Sequence, residues 1–224
     1  MKKNILICVA HPDDEVFGMG ATISKYVQNG DNVYCVAFSH GTASRNSNPD
    51  DEEQRLKQAN KAAKILGFNW IKILNYPDNE FDSIPLLSFI KELEIIKNQI
   101  NPDIVFTHFK GDLNIDHQII FQATLTAFRP LANEKAKEIY SFEVPSATDY
   151  SLGNISGCFL PNIFHDIVDY WDIKVQSIKA YEGELMEYPN SRSLESINHL
   201  SKYRGSCVGI ERAEAFMLVR KTIS

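Results

Sequence analysis

Two rhythms of apolar and polar positions alternate along this chain. Short unbroken apolar runs, NILICVA from residue 4 and NVYCVAFS from residue 32, are each followed by a stretch whose apolar residues return every three or four positions. The first rhythm belongs to a strand buried on both faces, the second to a helix with one apolar stripe. Behind the first run, Val16, Met19, Ile23 and Val27 recur at helical spacing and Gly30 supplies a stop. Behind the second, the loop HGTASRNSNP leads to a helix from about residue 49 that Gly67 ends, with Asn48 as N-cap and Pro49 in the first turn. WIKIL reads as a third strand, and Ser83 precedes a helix whose Leu86, Ile90, Leu93 and Ile100 form one stripe before Pro102. DIVFTHF reads as a fourth strand, DHQIIFQATLTAF as the helix behind it, and EIYSFEV as a fifth strand. In the remainder, FLPNIFHDI and AEAFMLVRKTI read as strands, KVQSIKAY and LESINHLSKY as helices.

This alternation predicts the α/β class: a single Rossmann-like domain over residues 1–224, its mostly parallel sheet flanked by helices on both faces. There is no internal repeat, low-complexity segment or linker. Ligands of open α/β sheets collect beyond the C-terminal ends of the strands. Function is therefore expected in residues 11–15, 40–45, 76–79 and 108–117, the polar stretches that follow strands.

Composition removes several classes of function. With 224 residues, 44% of them hydrophobic, the chain can bury the core of one substantial domain. A net charge of −6 argues against a broad basic face, so nucleic acid is not an expected partner. The opening MKKNILICVAHPDDE breaks its apolar run with acids too early for a signal peptide, and no segment approaches about 18 uninterrupted apolar residues. Cys8, Cys35, Cys158 and Cys207 form no CxxC pair and read as free thiols. The expectation is a cytoplasmic protein with a small-molecule partner, for which a homo-oligomer is compatible.

Two segments carry the candidate chemistry. HPDDE follows the first strand and GDLNIDH the fourth, and in a parallel sheet both emerge at one edge, where His11, Asp13, Asp14, Asp116 and His117 can converge. Two imidazoles and a carboxylate make a three-ligand set for zinc with an open position. Taken singly, Asp13, Asp14 and Asp116 are equally suited to capping helices, where a carboxylate meets backbone N–H groups. Spacing alone leaves both readings standing.

The pairing of AHPDDE with DLNIDH about 100 residues later resembles the PIG-L/LmbE family of zinc-dependent deacetylases, which remove acetyl groups from N-acetylated sugars and related amides. The likeness extends through QRLKQANKAAKILGF, YPDNEFD, NPDIVFTH and YRGSCVGIERAEAF. It implies His11, Asp14 and His117 as metal ligands, Asp13 as general base and Asp116 as a carboxylate that orients an imidazole. It implies Zn2+ as cofactor, and the same donors would accept Fe2+ or Co2+. The substrate implied is an acetamido sugar, free or nucleotide-linked, in bacterial glycan biosynthesis. Alternatives are the deacylation of a thiol-conjugate or antibiotic precursor, or a non-catalytic sugar-binding module. Many members carry histidine where this chain has Asn114, which can donate a hydrogen bond to an oxyanion but cannot carry a proton. A general acid is then expected elsewhere: Asp13 itself, His108 or His40. Arg45, Arg55 and Asp78 fall in segments resembling substrate-pocket segments, the arginines suited to an anionic group. PNSRS around Arg192 reads as a surface loop, with part of a lid over the pocket as the alternative, and His165 and His199 read as surface residues.

Overall fold

The computed structural model describes residues 2–42, 49–153 and 157–223, so the expected roles of Arg45 and Asn48 lie outside the described residues. Seven strands form one sheet in the order β3-β2-β1-β4-β5-β7-β6. They are β1 (Asn4–Val9), β2 (Asn32–Ala37), β3 (Asn69–Ile73), β4 (Ile104–His108), β5 (Glu138–Phe142), β6 (Ile163–Asp166) and β7 (Ala213–Lys221). The first five run parallel, and β7 pairs antiparallel with both β5 and β6. The expected strands are all present. What the periodicity does not contain is that the last strand inserts between the fifth and the sixth.

The continuous apolar runs are explained by burial on both faces. In β1, Ile5, Ile7 and Val9 enter one core while Leu6 and Cys8 enter the other. The first core is roofed by α1 (Asp14–Gln28), α2 (Pro49–Leu66), α5 (Trp171–Ile178) and α6 (Leu194–Ser206), the second by α3 (Leu86–Ile100) and α4 (Ile115–Ala127). Ser83 precedes α3 as the last residue of a separate 3-10 turn, Phe81–Ser83, and Pro85 stands at the N-cap. Strand order reverses between β1 and β4, so the crevice beyond their C-terminal ends is the topological switch point of the sheet.

One helix departs from the expected pattern. α1 is broken at Met19, which has φ −149° and ψ 24°, instead of running unbroken. The break leaves backbone groups unsatisfied in the protein interior, where that is costly. Glu214 of β7 accepts the N–H groups of Ala21 at 3.1 Å and Thr22 at 2.7 Å, and Lys174 of α5 donates to the carbonyl of Phe17 at 3.0 Å. These two side chains also pair with each other, and each is at least 96% buried. Helix and strand approach closely here: a Cβ on Gly18 would lie 2.4 Å from the Phe142 ring, so only glycine fits. α1 is thereby held to the sheet beside its first turn, which carries Asp14.

Candidate metal centre and its cavity

The three consecutive acids after β1 point in three directions, because the turn into α1 is strained. Asp13 has φ +129°, a region that side chains other than glycine rarely enter and that costs of order 1–3 kcal/mol. Its carbonyl accepts the N–H groups of Val16 and Phe17, both at 3.1 Å, and so starts the helix. Asp14 turns inward and accepts the His11 N–H at 2.9 Å. Glu15 accepts the Asp13 N–H at 2.9 Å and the Tyr181 hydroxyl at 2.6 Å, and burial pushes its carboxyl up to about 8. Asp13 alone faces the cavity.

Around Asp14 the imidazoles converge. His11 Nδ1 lies 3.5 Å from Asp14 Oδ2, and His117 Nε2 lies 3.3 Å from Asp14 Oδ1. The remote nitrogen of each ring rests on carboxylates: His11 Nε2 is 3.0 Å from both Asp78 and Asp116, and His117 Nδ1 is 2.9 Å from Asp112. Such an arrangement fixes ring orientation and raises ligand basicity, as it does around metal-bound histidines. Asp116 is itself tied down by the N–H groups of Asn79 at 2.7 Å and Phe81 at 3.1 Å. Gly41 passes over the outer side of His11 with φ +70°, its Cβ position 3.1 Å from that of His11.

Among the described residues, three sets of side chains have ligand atoms within 4.8 Å of one another. In the set His108, Asp112 and His117, the oxygens of Asp112 are taken by His117 and by the Thr148 hydroxyl at 2.6 Å. In the set His11, Asp78 and Asp116, Asp116 accepts two backbone N–H groups. In the set His11, Asp14 and His117, Asp14 Oδ1 is buried without a hydrogen-bond partner. A buried carboxylate oxygen that accepts no hydrogen bond, with His117 Nε2 3.3 Å away, is costly unless a cation completes it, so this third set fits a divalent ion.

The charges respond accordingly. Burial pushes the Asp14 carboxyl up, but the charge of His117 and the hydrogen bonds of His11 and His117 outweigh it and hold it well below the usual carboxylate range. Burial pushes His117 down, but Asp14 and Asp112 outweigh it and raise it to about 9. Burial moves Asp13 upward, with Arg192 opposing.

The structure moves several expected residues to other work. His108 is fully buried and accepts the Ala10 N–H at 2.8 Å through Nε2, so its proton sits on Nδ1. Stacked 3.7 Å from His117 and held well below the usual histidine range by burial, it does not line the cavity, contrary to the expectation of a general acid. His40 lies 3.3 Å from Glu52 and does not line it either. Asn114 is the N-cap of α4: its oxygen accepts the Asp116 N–H at 2.8 Å while its Nδ2 donates to Asn79 at 3.0 Å, at the cavity wall. Asp78 lies against His11, and Arg55 reaches Glu184, Asp13 at 3.4 Å and the Pro12 carbonyl at 3.1 Å. Arg192, read as a surface residue, reaches across the cavity to Asp13 at 3.0 Å and Glu184 at 3.1 Å. His165 is packed between the rings of Tyr26 and Phe216 rather than lying free on the surface. Sequence reasoning missed Asp112 and Glu184 altogether. Asp112 did stand in the GDLNIDH segment; Glu184 carried no signal. The cavity, which Glu184 lines and Asp112 does not, measures about 260 Å³, lined among others by His11, Asp13, Asp78, Asn114 and Arg192.

An α/β sheet with a histidine and carboxylate cluster in the crevice at its switch point has the layout of a small-molecule enzyme, with His11, Asp14 and His117 placed where they could hold a cation. Comparison with known proteins places the chain within that class. Residues 6–128 match the family model "PIG-L: GlcNAc-PI de-N-acetylase", and the chain belongs to the PIG-L family. It is 31% identical over 188 residues to the uncharacterized deacetylase YaiS of Escherichia coli K12, covering 81% of this chain and 92% of that one. In fold it is similar to the N,N'-diacetylchitobiose deacetylase of Pyrococcus horikoshii, with a TM-score of 0.76 and 22% identity, covering 97% of this chain and 84% of that one. It is likewise similar to GalB, the 4-carboxy-2-hydroxymuconate hydratase of Pseudomonas putida KT2440, with a TM-score of 0.79 and 21% identity, covering 100% of this chain and 98% of that one. At such identities the likeness concerns the fold alone.

Proposed function

We propose that the protein is a metal-dependent hydrolase that removes the acetyl group from an acetamido sugar, in bacterial glycan biosynthesis. The observation that carries this reading is the buried Asp14 carboxylate between His11 and His117, its Oδ1 accepting no hydrogen bond, with His11 and the Asp13 carboxylate lining the adjoining cavity. Family membership and the Escherichia coli deacetylase relative support the reaction type. A divalent ion such as zinc, held by His11, Asp14 and His117, would lower the pKa of water and polarise the amide carbonyl. Asp13 accepts the proton of the attacking water, and a carbon–oxygen bond forms as the carbonyl becomes an oxyanion. Arg192 and Arg55 hold the Asp13 carboxylate in place for that transfer. Asn114, at the cavity wall, donates one Nδ2 hydrogen to Asn79, and its second Nδ2 hydrogen is the donor we assign to the oxyanion. The same proton then passes from Asp13 to the leaving nitrogen, the C–N bond breaks, and acetate and a free amine remain. His108 stays neutral and keeps His117 in register by stacking.

Acetate release from a panel of acetamido sugars by metal-loaded protein tests the reading. Metal content after dialysis tests the ligand set: His11→Ala and His117→Ala should lose the ion. Asp13→Asn should keep it and lose most turnover, whereas Asp14→Asn should weaken binding itself. Retention of full metal by both histidine variants, or the reverse pattern at the two aspartates, overturns the roles. Binding of sugar without metal uptake or acetate release would instead favour a binding module. Acetate from a thiol conjugate or an antibiotic precursor alone would favour the other deacylase reading.

A further inference from the structure

Asp13 is held by one oxygen only. Arg55 Nη1 at 3.4 Å and Arg192 Nη1 at 3.0 Å both reach its Oδ2, and among the described residues no hydrogen bond is made to Oδ1. That asymmetry needs a cause, because a guanidinium and a carboxylate favour two parallel bonds, one to each oxygen. Arg192 is anchored apart from Asp13: its Nε donates to the Ser146 hydroxyl at 2.9 Å, and its guanidinium carbon lies 4.8 Å from the centre of the Phe17 ring. Arg55 is not anchored in the same way. Its Nη1 already stands beside Oδ2 and donates to the Pro12 carbonyl at 3.1 Å, so a turn of the group about that end would carry Nη2 to Oδ1. Glu184 opposes the turn by accepting from Arg55 Nη2 with one oxygen, while its other oxygen accepts from Arg192 Nη1 at 3.1 Å. Asp13, Arg55 and Glu184 are all buried, where a guanidinium edge that loses its acceptor is costly and seeks another.

We infer that Glu184 is a positioning residue for the base: by holding Arg55 Nη2 it keeps that guanidinium from closing on Asp13 as a two-bonded pair, and so leaves Oδ1 to take the proton of the attacking water. This rests on the reading of Asp13 as the base. Without an acceptor at position 184, Arg55 turns to the adjacent carboxylate and both oxygens of Asp13 are occupied. The loss falls on Asp13 rather than on His11, Asp14 or His117, so turnover drops while the ion stays.

Glu184→Met is close to glutamate in length and offers no such acceptor. It should lower kcat about 10²-fold, the scale of a misplaced catalytic group, with KM changed by less than about threefold and full metal content. Arg55→Met/Glu184→Met also removes the competing guanidinium, leaves Arg192 on Oδ2, and replaces a buried ion pair by apolar side chains, an exchange that folds tolerate. The double variant should come within about tenfold of the wild-type kcat, whereas independent structural losses would make it slower than either single variant. Crystal structures of the ion-free proteins give a reading that needs no turnover: Arg55 Nη2 at hydrogen-bond distance from Asp13 Oδ1 in Glu184→Met, and Oδ1 open to the cavity in the wild type and the double variant. An unchanged kcat in Glu184→Met, a double variant no faster than the single one, or an Arg55 that stays away from Oδ1 overturns the inference. If Glu184→Met does not fold, the double variant decides, and a kcat more than about tenfold below wild type overturns the inference. Asp13→Asn scores the underlying reading separately: normal turnover there would show that Asp13 is not the base, and the restraint on Arg55 would then stand or fall with the crystal structures.

Discussion

Asp112→Asn separates two consequences of one side chain. Asp112 Oδ2 accepts from His117 Nδ1 at 2.9 Å, and Oδ1 accepts the Thr148 hydroxyl at 2.6 Å. An asparagine can present its oxygen to the imidazole only by turning its amide nitrogen toward Thr148, whose hydroxyl already accepts the Val144 N–H at 2.8 Å. The bond to His117 then falls from charge-assisted to neutral, a loss of about 1–1.5 kcal/mol, and the Thr148 proton is left without an acceptor, costing about 1 kcal/mol more. The first loss falls on the basicity of His117 and hence on ion affinity, which should weaken about tenfold, at the lower end of the usual effect of such partners. The second falls on folding, and should lower the melting temperature by about 2–4 °C. Thr148→Val is the control: it removes the hydroxyl while leaving the His117 bond, so it should cost stability and change ion affinity by less than about threefold. Competition against a chromophoric chelator gives the affinity, and thermal unfolding of the ion-free protein gives the stability. Ion affinity unchanged in Asp112→Asn, or lowered equally in both variants, would refute the claim that Asp112 tunes His117.

Asn114→Asp keeps the capping oxygen but removes the Nδ2 donor and its bond to Asn79, so turnover should fall about 10²- to 10³-fold with a stability loss of about 1 kcal/mol, and normal turnover would leave Asn114 a structural residue alone. Glu214→Gln strands the Lys174 ammonium beside the break in α1 and should cost about 3–5 kcal/mol in urea unfolding; a loss under about 1 kcal/mol would show that the pair does not hold the break. His165 is lowered to about 4 by burial, so the folded state binds its proton more weakly than the unfolded chain does. Its stabilisation is therefore complete above the unfolded pKa of about 6.5 and is lost as pH falls from there toward 4. Between pH 7 and 5 the wild type should lose about 1 kcal/mol more than His165→Gln, allowing for partial exposure, and equal losses in urea titrations at both pH values would contradict the burial argument.

The strands and helices were legible because each buries an apolar pattern whose period belongs to local geometry, as in β1, where alternate residues fill the two cores. His11, Asp14 and His117 were legible for a related reason: they follow two parallel strands that must end at one edge. Arg192 was not, since its contact with Asp13 spans 179 positions and is made from a loop, where no period reports direction. Arg55 was readable as a cation in the right segment but not as one already paired, because its partner Glu184 lies 129 positions away. The break in α1 hid behind an intact helical spacing, for the compensating Glu214 and Lys174 come from the far end of the chain.

The insertion of β7 between β5 and β6 sets an order of events during synthesis. Residues 11–117, which carry every group of the candidate ligand set, leave the ribosome long before β7 does. Until β7 emerges, β5 stands as the open edge of a parallel sheet, β6 has no neighbour to pair with, and the break in α1 lacks the Glu214 carboxylate that completes it. A ribosome stalled before residue 213 therefore displays a sheet with its donors and acceptors exposed, a template for pairing with other chains. Ion capture by such a nascent chain would precede a settled α1, and the last nine-residue strand closes the sheet edge and seats that helix in one event. Truncation before Ala213 should be as damaging to this protein as lesions in the candidate centre itself, and its mark would be aggregation rather than a soluble, inactive product.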